Sequence, residues 1–267
     1  MISQSHWEEG GLYNPRPRWS VLPVGIRSWD SRTVTPRFLG LRDFGSLRLD
    51  GQPVRRAQRP WLVDVSILRP VPGLPDGDIA DFEAAPDFAR WTLADTPDDP
   101  ASRLRWVAIE DSGRQLLICD RMILARVSWD DLDAAGYVGG REVTIDGRRF
   151  LCRLLTGGAE FRTAEDGYAG GAPANEWDRL IGGDEPIDGL PLAAPRLARP
   201  LMLADMDTAH NRLWNWFGAV SWTQEPFRHR ATARCCRGFH SAGFFYLNTQ
   251  SHRHEDIGWR PILEALA

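Results

Sequence analysis

Alternation of apolar and polar residues is strongest in the middle of the chain, and there it predicts antiparallel strands. Arg105-Trp106-Val107-Ala108-Ile109-Glu110 and Gln115-Leu116-Leu117-Ile118-Cys119-Asp120 flank Asp111-Ser112-Gly113-Arg114, a hairpin signal. The clearest hairpin follows, with Asp146-Gly147 turning between Arg141-Glu142-Val143-Thr144-Ile145 and Arg148-Arg149-Phe150-Leu151-Cys152-Arg153. Upstream, Trp61-Leu62-Val63-Asp64-Val65-Ser66-Ile67-Leu68 alternates as a strand, and the Pro/Gly run from Pro70 to Gly77 reads as a rigid loop. Helix signals are few and short. Ser128 stands before Trp129-Asp130-Asp131-Leu132 as an N-cap, and Asn175 stands likewise before Glu176-Trp177-Asp178-Arg179-Leu180-Ile181. The glycine-rich run from Gly157 to Gly171 reads as a loop, and it lacks the Gly-Lys-Ser/Thr ending of a phosphate cradle. Gly182 to Pro200 is a connector. Four aromatics, Trp214, Trp216, Phe217 and Trp222, fall within nine positions and read as a core cluster.

These elements predict an α+β, loop-rich fold with short helices and small antiparallel sheets. Pro and Asp cluster without an apolar residue from Asp95 to Pro100, which marks the expected boundary. Residues 1–100 are then a Pro/Arg-rich region, β in character and packed on a main domain of residues 101–267.

Composition then changes the picture. A chain of 267 residues with 43% apolar residues can bury a sizeable core. Twelve Trp are many, and they suit a loop-rich fold pinned by large side chains. The net charge of −4 argues against a general nucleic-acid binder. Charge is also uneven: residues 160–210 hold ten acids against four Arg, and residues 226–260 hold six Arg against two acids. The two segments are expected to match each other internally rather than face a partner. Cys119, Cys152, Cys235 and Cys236 make no disulfide framework in a chain this long, and the first two read as buried thiols. The N-terminal residues lack the basic start and apolar stretch of a signal peptide, and no apolar run reaches membrane-spanning length. The expected location is the cytoplasm or a phage particle.

A set of motifs in one order carries a resemblance. Asn175-Glu176-Trp177-Asp178 comes first, then Trp214-Asn215-Trp216 with Trp222 and Glu225. Arg237-Gly238 with Ser241 follows, and Ile257-Gly258-Trp259-Arg260 closes the set. This order resembles the formylglycine-generating-enzyme branch of the C-type lectin fold over roughly residues 100–267. The same branch includes variable proteins of diversity-generating retroelements, many of them phage or prophage products. Those hold ligand-contacting residues just before the last strand, a window equivalent to residues 227–256 here. The resemblance implies a framework of Trp177, Trp214, Trp216, Trp222, Arg237, Gly238, Gly258, Trp259 and Arg260. It implies a ligand-contacting set of Arg228, Arg230, Phe239, His240, Phe245, Tyr246, Asn248, His252, Arg253 and His254.

The residues themselves support that division. Gly238 and Gly258 mark places where a side chain would obstruct a turn or a close approach. Arg237 and Arg260 are candidates for buried ion pairs. Aromatic, His and Asn residues between these anchors offer rigid contact area with adaptable polar groups. The enzymes of the branch hold copper with two Cys after the Gly-Gly-Ser turn, whereas Cys235 and Cys236 precede Arg237-Gly238 and point to opposite sides of a strand. His252-x-His254 could share a face and bind a metal, but exposed loop histidines without one are expected. The reading is a non-catalytic ligand-binding protein, with no catalytic residue, no metal and no cofactor. Its partner is a protein or cell-surface ligand met through the C-terminal segment, not nucleic acid, with no membrane span; a homo-oligomer is compatible with it. Two alternatives stand beside it, a metal-dependent oxidoreductase of the same fold and a structural component of a phage tail or particle.

Overall fold

The computed structural model describes residues 35–57, 63–64, 69–70, 79–163, 166–193 and 208–266. Twelve strands build two six-stranded sheets. In chain order they are β1 (Arg37–Asp43), β2 (Ala80–Asp81), β3 (Arg105–Asp111), β4 (Arg114–Cys119), β5 (Leu124–Ala125) and β6 (Arg141–Ile145). Then come β7 (Arg148–Arg153), β8 (Val220–Phe227), β9 (Arg230–Gly238), β10 (Phe245–Thr249), β11 (Ile257–Trp259) and β12 (Ile262–Ala265). The first sheet has the order β1-β3-β4-β12-β7-β6 and is antiparallel throughout. The second has the order β10-β9-β8-β11-β5-β2, with parallel pairs at β8–β11 and β5–β2. Three short α-helices, α1 (Trp129–Ala134), α2 (Glu176–Leu180) and α3 (Ala209–Trp214), complete the regular structure with a few 3-10 turns and smaller strand pairs. The coarse expectation of a loop-rich α+β fold with short helices is what the structure has, and the fold is mostly β-sheet.

Local chemistry explains the elements. At both hairpin turns the two central residues take positive φ, Ser112 and Gly113 at 51° and 78°, Asp146 and Gly147 at 50° and 72°. Both-positive turns match the twist of the flanking strands, and Asp and Gly tolerate them. Ser128 and Asp131 form a reciprocal capping box on α1, and Asn175 accepts the amide of Asp178 at the start of α2.

β3 is apolar on both sides because the first sheet is covered on both sides. Trp106 and Ala108 join the core between the sheets with Phe150, Trp222, Cys236, Ile257, Trp259 and Leu263. Val107 and Ile109 point the other way, into a second core with Trp177, Trp214, Trp216, Phe217 and Ile262. Strand geometry sends successive side chains to opposite faces, so one alternating strand feeds two cores. The aromatic run after His210 likewise divides, with Trp214, Trp216 and Phe217 in one core and Trp222 in the other.

Strand pairing crosses the expected boundary at Asp95 to Pro100. β1 pairs with β3, and β2 pairs with β5, so strands from before residue 100 complete both large sheets. Ser46–Leu49 also pairs with Trp91–Ala94, and the Thr96 amide and hydroxyl both bond the Asp146 carboxylate. All described residues belong to one compact unit, which corrects the division at residue 100. The Pro/Asp cluster is a connection between packed strands, not a linker. Of the strand expected over residues 61–68, Val63–Asp64 pairs with Arg69–Pro70. The rest of it, the loop at residues 71–77 and the first 34 residues lie outside the described residues.

The chain passes from the second sheet to the first in two residues, Arg260 and Pro261, between β11 and β12. Gly258 makes this crossing close. A Cβ built there would lie 2.0 Å from the Leu124 carbonyl oxygen, a backbone atom of the paired strand. Gly139 has open space around its Cβ position and no positive φ. Gly258→Ala should therefore cost at least about 1–3 kcal/mol in urea unfolding, and Gly139→Ala less than about 0.5 kcal/mol.

Candidate ligand-binding surface

The C-terminal window is held by a buried cluster around Arg237. Arg237 is 0% exposed and donates with every N–H it has. Nε bonds the Phe244 carbonyl at 3.3 Å; Nη1 bonds the carbonyl of Gly157 at 2.6 Å and the Asp178 carboxylate at 3.1 Å. Nη2 bonds the second Asp178 oxygen and, at 2.8 Å, the Gly243 carbonyl. Asp178 also accepts from the Asn175 side chain at 2.8 Å and from the Gly171 amide at 2.9 Å. Burial raises the Asp178 pKa, but Arg237 and these hydrogen bonds outweigh it and hold the carboxyl below its ordinary value. The pair joins β9, α2, the glycine-rich loop and the turn into β10.

Arg260 behaves differently from the buried ion pair expected of it. It is buried and bonds Ser221 Oγ at 3.0 Å and the carbonyls of Cys119 and Asn215 at 3.2 Å, over the face of Trp177. Among the described residues no carboxylate pairs with it. Burial lowers its pKa to about 10, with the nearby Asp120 charge opposing. Its role is to tie the crossing between sheets to neutral acceptors on both.

The expected contact set divides by burial. Arg228, Arg230, Tyr246, Arg253 and His254 are exposed, and His240, Asn248 and His252 are half-buried. Phe245 is 0% exposed and Phe239 is 7% exposed, so both are corrected from contact residues to core residues. Phe245 packs on Phe161 at 4.9 Å between ring centroids, on the face of β10 opposite Tyr246. Phe239 turns inward because the chain bends at Gly238 and Phe239, both at positive φ, and its amide bonds the carbonyls of Trp216 and Ala219. A Cβ at Gly238 would lie 2.6 Å from the Ala219 carbonyl oxygen, so the turn needs glycine there.

The exposed Arg residues are engaged within the chain. Arg228 pairs with Glu160 at 2.8 Å, and Arg253 grips both oxygens of Asp131, at 2.7 and 3.0 Å. Arg126 pairs with Glu255 at 2.8 Å, and its amide bonds the Ile257 carbonyl, which fixes the base of the loop before β11. The pairs Arg237–Asp178 and Arg228–Glu160 also show the basic and acidic segments meeting each other within the chain.

What remains outward is an aromatic and histidine surface. Tyr246 is 46% exposed and stacks on Phe244 at 6.2 Å. Phe244 meets Tyr168 and His240 edge-on, each at 4.7 Å. The rings of His252 and His254 stack at 6.1 Å, and His254 Nδ1 lies 2.8 Å from the Asp256 carboxylate. Burial lowers the pKa of His240 and of His252, with Asp256 opposing in both cases. Sequence reasoning missed Tyr168 as a member of this surface, and it held Asp256 within the window without naming it as a contact. Tyr168 lies in the glycine-rich loop, where Phe161 is the other aromatic, and reaches the surface only through the fold. Cys235 and Cys236 are buried on opposite faces of β9, and burial pushes the Cys235 thiol up to about 12. Among the described residues no group of three His, Cys, Asp or Glu is placed to hold a metal, and no helix is long and apolar enough to cross a membrane.

No protein-family model matches the chain, and comparison with curated proteins and with solved structures finds no match.

Behind the surface, β8 bulges between Trp222 and Pro226 toward the Gly157 loop. Glu225 on that bulge accepts the Gly157 amide at 2.8 Å. Burial raises its pKa to about 7, with the hydrogen bond opposing. The folded chain therefore keeps this proton where the unfolded chain loses it. The stability it contributes is full below the ordinary carboxyl value near 4.5 and is lost as pH rises through about 7. Unfolding free energies measured by denaturant across that window should fall with a Glu225 component of up to about 1.4 kcal/mol per pH unit. Glu225→Gln should remove that component of the slope.

Proposed function

We propose that the chain is a non-catalytic binding module that displays residues 228–256 to a protein or cell-surface ligand. On this reading the fold is the C-type-lectin-like architecture of the formylglycine-generating-enzyme branch. The chain is then of the kind found in retroelement variable proteins or phage receptor-binding proteins. One observation supports it most. Along one short stretch of chain, buried framework side chains stand beside exposed or half-buried ones, with Phe239 and Phe245 on the buried side. Arg237, Gly238, Phe245, Gly258, Trp259 and Arg260 are buried, while Tyr246 and His254 are exposed and Asn248 and His252 are half-buried. Exposed side chains on a fixed backbone can change without a large loss of stability. Tyr and His supply contact area at low entropic cost, as in other recognition surfaces. The surface is also a packed aromatic cluster, with ring centroids 4.7 Å apart, which favours a broad macromolecular contact.

A library randomised at Tyr246, Asn248, His252 and His254 in the full chain, displayed on phage, tests this. Most members should melt within a few degrees of the parent, equivalent to about 0.5 kcal/mol per site, and selection should yield binders to unrelated protein targets. A library in which most members unfold, or from which no target draws a binder, would refute the reading. Phe245→Ala is the contrasting control and should cost about 3–5 kcal/mol.

A further inference from the structure

The edges of the two large sheets are not alike. β1 carries Arg37, Arg42 and Asp43 and a bulge between Phe38 and Gly40. β6 carries Arg141 and Glu142, and β2 is only two residues long. Charges, bulges and shortness are the usual guards of a strand edge. β10, Phe245-Tyr246-Leu247-Asn248-Thr249, has no charge, no Pro and no bulge.

The register tells which of its backbone groups are open. The Gly238 amide bonds the Phe244 carbonyl, and the Gln250 amide bonds the Thr232 carbonyl. The hydrogen-bonded pairs of the β9–β10 ladder are therefore 236 with 246 and 234 with 248, lying between those two. Phe245, Leu247 and Thr249 occupy the alternate positions, so their backbone groups point away from β9. Gly167 packs on the Phe245 carbonyl, and the His252 amide takes the Thr249 carbonyl. The Leu247 N–H and C=O and the Thr249 N–H have no hydrogen bond among the described residues. Tyr246 stands beside them, 46% exposed.

We propose that β10 is a docking edge that takes an extended segment of a partner polypeptide as an added strand, with Leu247 supplying the central pair of backbone hydrogen bonds. This rests on reading the C-terminal window as a binding surface and names what it binds. The open backbone groups call for another backbone, not for a side chain or a sugar. The open stretch is short, closed at one end by Gly167–Ala169 and at the other by the turn after Thr249. A single flexible chain fits such a slot better than the rigid edge of a second copy. An apolar or aromatic residue of the partner would lie against Tyr246, where cross-strand pairs gain most.

The probe is a set of short random peptides displayed on phage and selected on the immobilised full chain. Selected peptides should slow amide exchange at Leu247 and Thr249 by at least about tenfold. Leu247→Pro removes only the outward N–H, at an edge position where Pro is tolerated, and should weaken those peptides at least about tenfold with little change in melting temperature. Tyr246→Ala should weaken them as well. Exchange on the wild-type chain decides the matter even where Leu247→Pro fails to fold. Binding that protects His252 and His254 but not Leu247 would overturn the edge and leave the wider surface standing. Protection of Leu247 that rises with protein concentration in the absence of peptide would overturn it in favour of a second copy. Failure to enrich any peptide would overturn it too, without bearing on binders drawn from the side-chain library.

Discussion

The ion pair between Arg237 and Asp178 is the constraint on which the rest of the C-terminal structure depends. Four pieces of chain with little regular structure converge on it: the Gly157 loop, the start of α2, the end of β9 and the turn into β10. A buried pair of charges is costly to desolvate and stabilises only when its remaining hydrogen-bonding groups are satisfied. Here they are, because the planar fork of arginine reaches a carboxylate and three carbonyls at once. A lysine ammonium has three donors and no fork, and could not make this set. Arg237 also bonds the Gly243 and Phe244 carbonyls at the turn into β10, where Phe245 goes inward and Tyr246 outward.

A second fixed point works without charge pairing. Arg260 sits where the chain steps between sheets and is held by Ser221 and two carbonyls. Gly258 beside it allows β11 to lie close against β5. Together these features separate a rigid scaffold from a surface whose side chains bear little of its stability. The loop before β11 shows the same division on a smaller scale. Arg253 and Glu255 are tied down by Asp131 and Arg126, and His254, between those ties, stacks on His252.

Much of the fold was legible in the sequence, because local chemistry decides hairpins and caps. Asp146-Gly147, Ser112-Gly113, Ser128 and Asn175 each do what their side chains or missing side chains favour. What was not legible depends on long-range packing. Phe245 and Tyr246 are adjacent aromatics of similar size, and only the register of β9 with β10 tells which is core. Phe239 reads as a surface aromatic in sequence, but the turn at Gly238 carries its side chain into the core between the sheets. Arg260 was expected to have a carboxylate partner, yet neutral acceptors from β4 and β8 suffice. The Asp95–Pro100 cluster resembles a linker by composition, while the strands on either side of it share sheets. Tyr168 joined the surface from a segment that sequence alone could not place beside it.

The most direct measurement is a double-mutant cycle on the clamp by equilibrium unfolding of Arg237→Met, Asp178→Asn and the double variant. Each single change should cost about 3–5 kcal/mol by stranding a buried partner, and the double change should cost little more than either one. Two losses under about 1 kcal/mol that simply add would contradict the account, since the clamp would then not be what fixes the framework beneath the surface.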